Sequence, residues 1–214
     1  MRDFSHLDIL LALLWAARWT LLLSAVAFVS GGIAGGIVML MRISPFRPVR
    51  YLSQVYTEII QGTPLLIQFL IAFFGLSILG LDISPWLSAT LALTTFTSAF
   101  LSDIWRGAVQ SIPQGQWQAA RSLSLNYFQQ LGLVILPQAL RRSVAPTVGF
   151  LAQVIKGTSL ASAIGFVELA RSATNITNVT FEPFFVYLVT AVIYFAICFP
   201  ISLLSRKLEK SLAY

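Results

Sequence analysis

Cysteine and histidine are almost absent, with one of each in the chain, Cys198 and His6. A disulfide framework needs paired cysteines, and Cys198 lies inside an apolar run, which argues against a thiolate metal site as well. A single histidine near the N-terminus leaves no Ser-His-Asp or Cys-His arrangement to activate a nucleophile. Charge is scarce too. Charged side chains make up 10% of the 214 residues against 57% hydrophobic ones, too few polar groups to cover a soluble globule of this size. The phosphate-cradling pattern G-x-x-x-x-G-K-[ST] is missing, so any ATP used must be hydrolysed by another chain.

What is present is long apolar sequence, the mark of a polytopic membrane protein. A bilayer takes about 20 apolar residues per span, and five spans read out of the chain, at 9–41, 62–79, 86–109, 144–166 and 184–204. The fold class expected is therefore all-α integral membrane. Ala25-Val26-Ala27 imitates a signal cleavage site, but Arg2 stands against Asp3 and Asp8, and the apolar pattern continues to Met41, so the segment is expected to remain as a span. The first span exceeds the bilayer, which puts Trp15, Arg18 and Trp19 at an interface. Gly31, Gly32, Gly35 and Gly36 form two overlapping G-x-x-x-G pairs suited to close helix packing. The fourth span is expected to be broken at Gly149 and at Lys156-Gly157-Thr158-Ser159.

Charge is distributed by side. The connection 42–50 carries three arginines, the long interruption carries Arg106, Arg121, Arg141 and Arg142, and the tail carries Arg206, Lys207 and Lys210. The N-terminal segment and the loops holding Asp82, Glu168 and Glu182 are neutral to acidic. Positive loops stay in the cytoplasm. Five spans then place the N-terminus outside and the C-terminus inside, and the net charge of +6 reflects topology rather than nucleic-acid binding. The sequons at Asn175 and Asn178 fall in an outer loop and read as incidental composition.

Residues 113–143 interrupt the hydrocarbon. Trp117, Ala120 and Leu123 recur at three-residue spacing among polar Gln116, Gln118 and Arg121, which predicts a short helix over 115–124. A second amphipathic piece with Tyr127, Phe128, Leu131 and Val134 follows until Leu136-Pro137 breaks it. Such a helix either docks into a groove of a partner or lies on the surface as a passive connector.

Gln118-Ala119-Ala120 with Leu136-Pro137 downstream resembles the E-A-A-x-x-x-G-x9-I-x-L-P loop in integral-membrane subunits of bacterial ABC importers. QGTPLLIQF (61–69), RGAVQSIPQGQWQAARSL (106–123), VILPQALRR (134–142) and TSLASAIGFVELAR (158–171) resemble its polar amino acid branch. The resemblance implies one five-span transmembrane domain over 1–214, with a cytoplasmic coupling-loop region at 113–143 between the third and fourth spans. It implies two cytoplasmic ATPase subunits that bind ATP and Mg, a second permease subunit, an extracytoplasmic amino-acid-binding protein, and residence in the bacterial inner membrane. The chain itself needs no cofactor, and alternating access is the implied mechanism. The ATPase-coupling residues would be Gly115, Trp117, Gln118, Ala119, Ala120, Arg121 and Ser124, the small alanines allowing close seating and Arg121 pairing with an acid. Gln118 replaces the motif's Glu and Ser124 its Gly, so the left-handed turn at that glycine is either not needed or tolerated. Asp103 stands for a usual Glu, Phe100 for Tyr, and Gly149 and Gly157 for Asn and Asp. These losses imply a heterodimer whose sister subunit keeps the fuller set.

Ionisable groups inside spans are functional candidates. Asp103 would meet an ammonium group or, alternatively, pair internally with a residue such as Arg106. Lys156 would meet a substrate carboxylate or instead snorkel or pair with a carboxylate of another span, with Thr158 and Ser159 offering hydroxyls on the same substrate pathway and freed backbone at Gly157 lining it. Glu58 and Gln61 carry less weight. An ATP-independent channel or carrier remains the rival reading; an intramembrane enzyme lacks a nucleophile and base.

Overall fold

The structure is a computed structural model describing residues 5–212; Arg2 and Asp3, which weighed against a signal peptide, lie outside them. Among the described residues there is helix and connection but no strand. Helix α1 (His6–Arg42) starts at a capping box in which Ser5 Oγ accepts from the Asp8 N–H at 3.2 Å and Asp8 accepts from the Ser5 N–H at 3.1 Å. It is followed by α2 (Arg47–Gly62), α3 (Leu65–Ile78) and α4 (Pro85–Gln110). Helix α4 is opened by the Ser84 cap and by Pro85, whose missing N–H costs nothing in a first turn. Then come α5 (Gln114–Ser122), α6 (Tyr127–Ile164), α7 (Leu169–Thr180) and α8 (Pro183–Leu212). Four helices, α1, α4, α6 and α8, are long and apolar enough to cross a bilayer, and α2 with α3 pass together as a pair bent by 104°.

The spans expected at 9–41, 86–109 and 184–204 lie within α1, α4 and α8. Elsewhere the structure departs from expectation. The approach to the second span is itself the amphipathic helix α2, and the chain turns sharply at Thr63-Pro64. Proline denies the preceding residue the helical basin, and Thr63 accordingly sits at φ −106°, ψ 130°. Gln68 repairs the corner, its Nε2 donating to the carbonyls of Ile60 at 2.8 Å and Thr63 at 3.0 Å. Leu136-Pro137 does not break the helix that precedes it. The turn Gln130–Ile135 widens into a π-helix, shifting the hydrogen-bond register ahead of the proline's missing donor, and α6 continues. Nor does Gly149 break α6: a side chain there would meet Ser205 Oγ at 2.9 Å, so the glycine admits α8 instead. The Gly157 backbone stays helical and passes into a 3-10 turn, Thr158–Ile164, that closes at left-handed Gly165. Its carbonyl and amide groups are therefore not freed for a cavity. The segment with Asn175 and Asn178 is helix α7 rather than loop.

The closest packing joins α1 to α4. A methyl on Gly31 would fall 2.5 Å from Thr97 Cβ, and one on Gly35 would fall 2.9 Å from the Ser98 carbonyl oxygen. Gly32 and Gly36, on the neighbouring face, meet nothing closer than 3.6 Å. One G-x-x-x-G pair thus seats the helix, as small residues do in membrane interiors, and the other does not. Gly35→Leu is expected to destabilise the detergent-solubilised protein by about 1–3 kcal/mol or more through overpacking, and Gly36→Ala to leave its thermal midpoint near wild type. Equal loss in both would contradict this assignment.

Candidate functional site

Helix α5 lies across the end of the bundle where α1 and α4 finish. Its anchor is Trp117, whose ring stacks on Tyr127 with centroids 6.4 Å apart; the Tyr127 hydroxyl donates to the Ile43 carbonyl beyond α1. Ala120 is 2% exposed. At 3.6 residues per turn, Trp117 and Ala120 share the inward face, while Gly115, Gln118, Ala119 and Ser122 share the outward one and are all exposed. Arg121 is exposed and makes no ion pair among the described residues. Of the residues read as coupling positions, Trp117 and Ala120 therefore face home. The two alanines divide their labour: Ala120 admits α5 to its own bundle, and Ala119, with Gly115, keeps the outer surface low. Next to this face, Leu123 and Phe128 are 74% and 75% exposed, an apolar rim with no cover from the chain itself.

Ser124 adopts the left-handed basin, φ 57°. Its N–H bonds the Arg121 carbonyl at 2.8 Å and the Leu125 N–H bonds the Ala120 carbonyl at 3.3 Å, the paired closing bonds of a Schellman motif. The glycine-like turn is thus kept in a residue that adopts it at a cost. Asn126 then caps the next turn reciprocally with Gln129. Two further contacts tie the α5 region to α6. Gln138 Nε2 donates to Gln116 Oε1 at 3.3 Å, and Arg142 Nη1 donates to the Ser111 carbonyl at 2.8 Å.

Above α5, Asp103 Oδ1 accepts from Arg42 Nη1 at 2.8 Å and from Arg106 at 2.8 Å through Nη2 and 3.2 Å through Nε. The internal pairing with Arg106 appears as anticipated. Arg42, 61 residues away in sequence, was not foreseen, and its only signal was a position at the end of a span. Lys156 is exposed, and its ammonium makes no hydrogen bond or ion pair among the described residues. It stands nine residues beyond Thr147, which accepts from the Trp105 indole N–H, or about 13 Å of helix axis. The fold does not bring Asp103 and Lys156 together. Ser159 Oγ donates to the Lys156 carbonyl and Thr158 Oγ1 to that of Ile155, each at 2.7 Å. Thr158 is fully buried, so its hydroxyl does not face an open path.

Glu168 is a polar centre that sequence reading left among loop charges. Fully buried, it accepts from the Ala170 and Arg171 N–H groups at 2.9 and 2.8 Å and from the Tyr194 hydroxyl at 2.9 Å. Thr20, which donates to Glu168 at 3.3 Å, accepts the Leu169 N–H at 3.1 Å. Burial pushes this carboxyl above its ordinary range, while the donors oppose that shift. With four donors on its two oxygens, it caps α7 and fastens α1 to α8. Its sequence signal was slight, an acid immediately before a helical run.

A bundle of helices long and apolar enough to cross a bilayer, with a bent helix pair and a polar helix exposed at one end, has the makeup of a multi-pass membrane protein. Residues 9–214 match the family described as binding-protein-dependent transport system inner membrane component, and the chain belongs to it. It is 34% identical to the probable amino-acid ABC transporter permease protein YckA of Bacillus subtilis, covering 92% of this chain and 87% of that one. It is 37% identical to the L-cystine transport system permease protein TcyB of the same organism, over 91% and 83% of the two chains. The nopaline transport system permease protein NocM of Agrobacterium fabrum is also 37% identical, over 89% and 83%. Among solved structures, the crystal structure of an amino acid ABC transporter with histidines superposes with a TM-score of 0.92 at 30% identity, covering 99% of both chains. An inward-facing MetNI methionine ABC transporter shares the fold with a TM-score of 0.76 at 19% identity, over 94% and 96%. The chain is thus a multi-pass permease component of the ABC type, a family in which the ATPase is a separate subunit.

Because Ser124 carries a left-handed backbone that glycine adopts freely, Ser124→Gly is expected to be neutral to stabilising by up to about 1 kcal/mol. Ser124→Val is expected to destabilise by a similar amount or more. Limited proteolysis at the α5–α6 junction reads the difference; faster cleavage in the glycine variant would contradict the turn's role.

Proposed function

We propose that this chain is the five-span permease subunit of an ATP-driven importer that moves a polar amino acid across the bacterial inner membrane by alternating access. The bent pair α2–α3 counts as one span, the N-terminus lies outside and the C-terminus is cytoplasmic. Residues 1–214 form a single transmembrane domain, with 113–143 as its coupling-loop region and α5 as the coupling helix. Its partners are two ABC ATPase subunits carrying ATP and Mg, a sister permease forming a heterodimer, and an extracytoplasmic binding protein. The relatives named for amino acid transport support the substrate class.

The observation that carries the reading is the division of α5 into two faces. Gly115, Gln118, Ala119 and Ser122 are bare, while Trp117 and Ala120 lock the helix to its own bundle. A push on the outer face would pass through the Trp117–Tyr127 stack and the Gln116–Gln138 bond into α6, the helix that carries Lys156. Closing of the ATPase dimer would thus rock α6 against the other spans, a rigid-body route to alternating access. Lys156 would hold the substrate carboxylate where Gly157 packs on Leu65 beside the Thr63-Pro64 corner. Asp103, paired to Arg42 and Arg106, would hold helix ends together rather than meet substrate.

Uptake in proteoliposomes tests this. The chain with its sister, ATPases and binding protein is expected to accumulate amino acid only with ATP; flux through this chain alone would establish a channel instead. Lys156→Met should lower uptake about tenfold or more, the worth of a charged hydrogen bond, at unchanged abundance. Asp103→Asn should lower abundance and uptake together by stranding two arginines. Normal uptake in Lys156→Met would remove that residue from the path.

A further inference from the structure

The packed side of α1 faces the bundle through Ile9, Leu13, Ala17 and Leu23, and its other side carries an exposed stripe of Leu11, Trp15, Arg18, Leu22, Val29 and Ile33. Arg18 interrupts that apolar stripe. Its guanidinium carbon lies 3.6 Å from the centroid of the Trp15 ring and 5.3 Å from that of Trp19. Trp19 in turn packs edge-on against Trp86, at a centroid distance of 6.1 Å, in the first turn of α4. None of the five guanidinium N–H groups meets an acceptor among the described residues, and no acid pairs with the charge.

Position along the helix sets the surroundings. Arg18 is 24 residues from Arg42, the end of α1 that joins the charged cluster, or about 36 Å of axis. Tilted by about 30°, that length still projects about 31 Å, the thickness of the hydrocarbon core. With the Arg42 end at one boundary, Arg18 falls at the other, level with three tryptophans of the kind that gather at interfaces. Exposed Leu21, Leu22, Val29 and Ile33 run from it into the hydrocarbon core, so its donors stand where lipid headgroups lie.

We propose that Arg18, held between Trp15 and Trp19, binds the phosphate of a phospholipid headgroup. The stacked rings offer attraction to the cation and fix the plane of its fork. That leaves N–H edges able to grip phosphate oxygens bidentately. The acyl chains of the same lipid would cover the apolar stripe from Leu22 to Ile33. A lipid suits the site better than a protein partner because, among the described residues, neither an acid nor a hydrogen-bonding partner accompanies the charge, and the exposed residues along the stripe on either side of it are apolar.

Native mass spectrometry of the purified transporter complex, titrated with dioleoyl phosphatidylglycerol, tests the assignment. Wild type is expected to retain one more tightly held lipid per copy of this chain than Arg18→Gln, with affinity at least about tenfold higher, the effect of losing a charged hydrogen bond. Trp15→Leu keeps the charge but removes the closer ring, and should weaken retention several-fold. Lys207→Gln, in the remote basic tail, should match wild type. Dioleoylglycerol, which has the chains without the phosphate, and millimolar inorganic phosphate should each fail to displace the lipid. Equal retention in Arg18→Gln and wild type overturns the proposal. So does loss of the same lipid in Lys207→Gln, displacement by inorganic phosphate, or an acidic protein found on Arg18 in the assembled complex.

Discussion

A backbone amide or carbonyl inside hydrocarbon has no water to fall back on, and that one constraint shapes the irregular parts of this protein as firmly as its straight helices. At Thr63-Pro64 the chain bends through 104°, and the side chain of Gln68 takes up the carbonyls the bend leaves behind. At Pro137 a π-turn absorbs the missing donor without ending the helix. Around Gly157 a 3-10 turn continues the bonding up to Gly165. These three departures from regular α-helix have their repairs in view, and helix α6 accordingly runs unbroken from the polar end of the bundle into its interior.

That continuity gives the molecule its mechanical character. α1 and α4 are pressed together through Gly31 and Gly35 and share Asp103 at one end. Glu168 ties α1, through Thr20 in its N-terminal half, to α7 and α8 with a set of hydrogen bonds. Against this frame, α6 is the long element attached directly to the exposed helix α5. Gln118 in place of the motif's carboxylate, and Ser124 in place of its glycine, keep the helix and its closing turn while removing a charge and adding backbone strain at Ser124. Under the proposed function, that exchange would weaken the grip on the ATPase, and a sister subunit would offset it.

Much of the architecture was legible in sequence because long apolar runs and paired glycines have few other uses. The first, third and fifth spans and the short helix near 115–124 follow from periodicity and length alone. What escaped was three-dimensional. Arg42 reaches Asp103 across 61 residues, and no local pattern announces such a pair. Glu168 reads as a surface acid until Thr20 and Tyr194 are seen to surround it. Pro137 and Gly149 carry the sequence marks of helix stops; register shift spares the first, and a neighbouring helix gives the second its purpose. Trp117 and Ala120 shared the spacing of an outward-docking face, and only packing reveals that they look inward.

The central claim is that α5 meets an ATPase with its Gly115–Ala119 side and its own bundle with Ala120. In a Cys198→Ser background, Ala119→Cys and Ala120→Cys can each be offered a short thiol cross-linker in the assembled transporter. Ala119→Cys should link to the ATPase with a yield that changes on adding ATP, and Ala120→Cys should not. Linking through Ala120→Cys alone, or through neither position, would contradict the account.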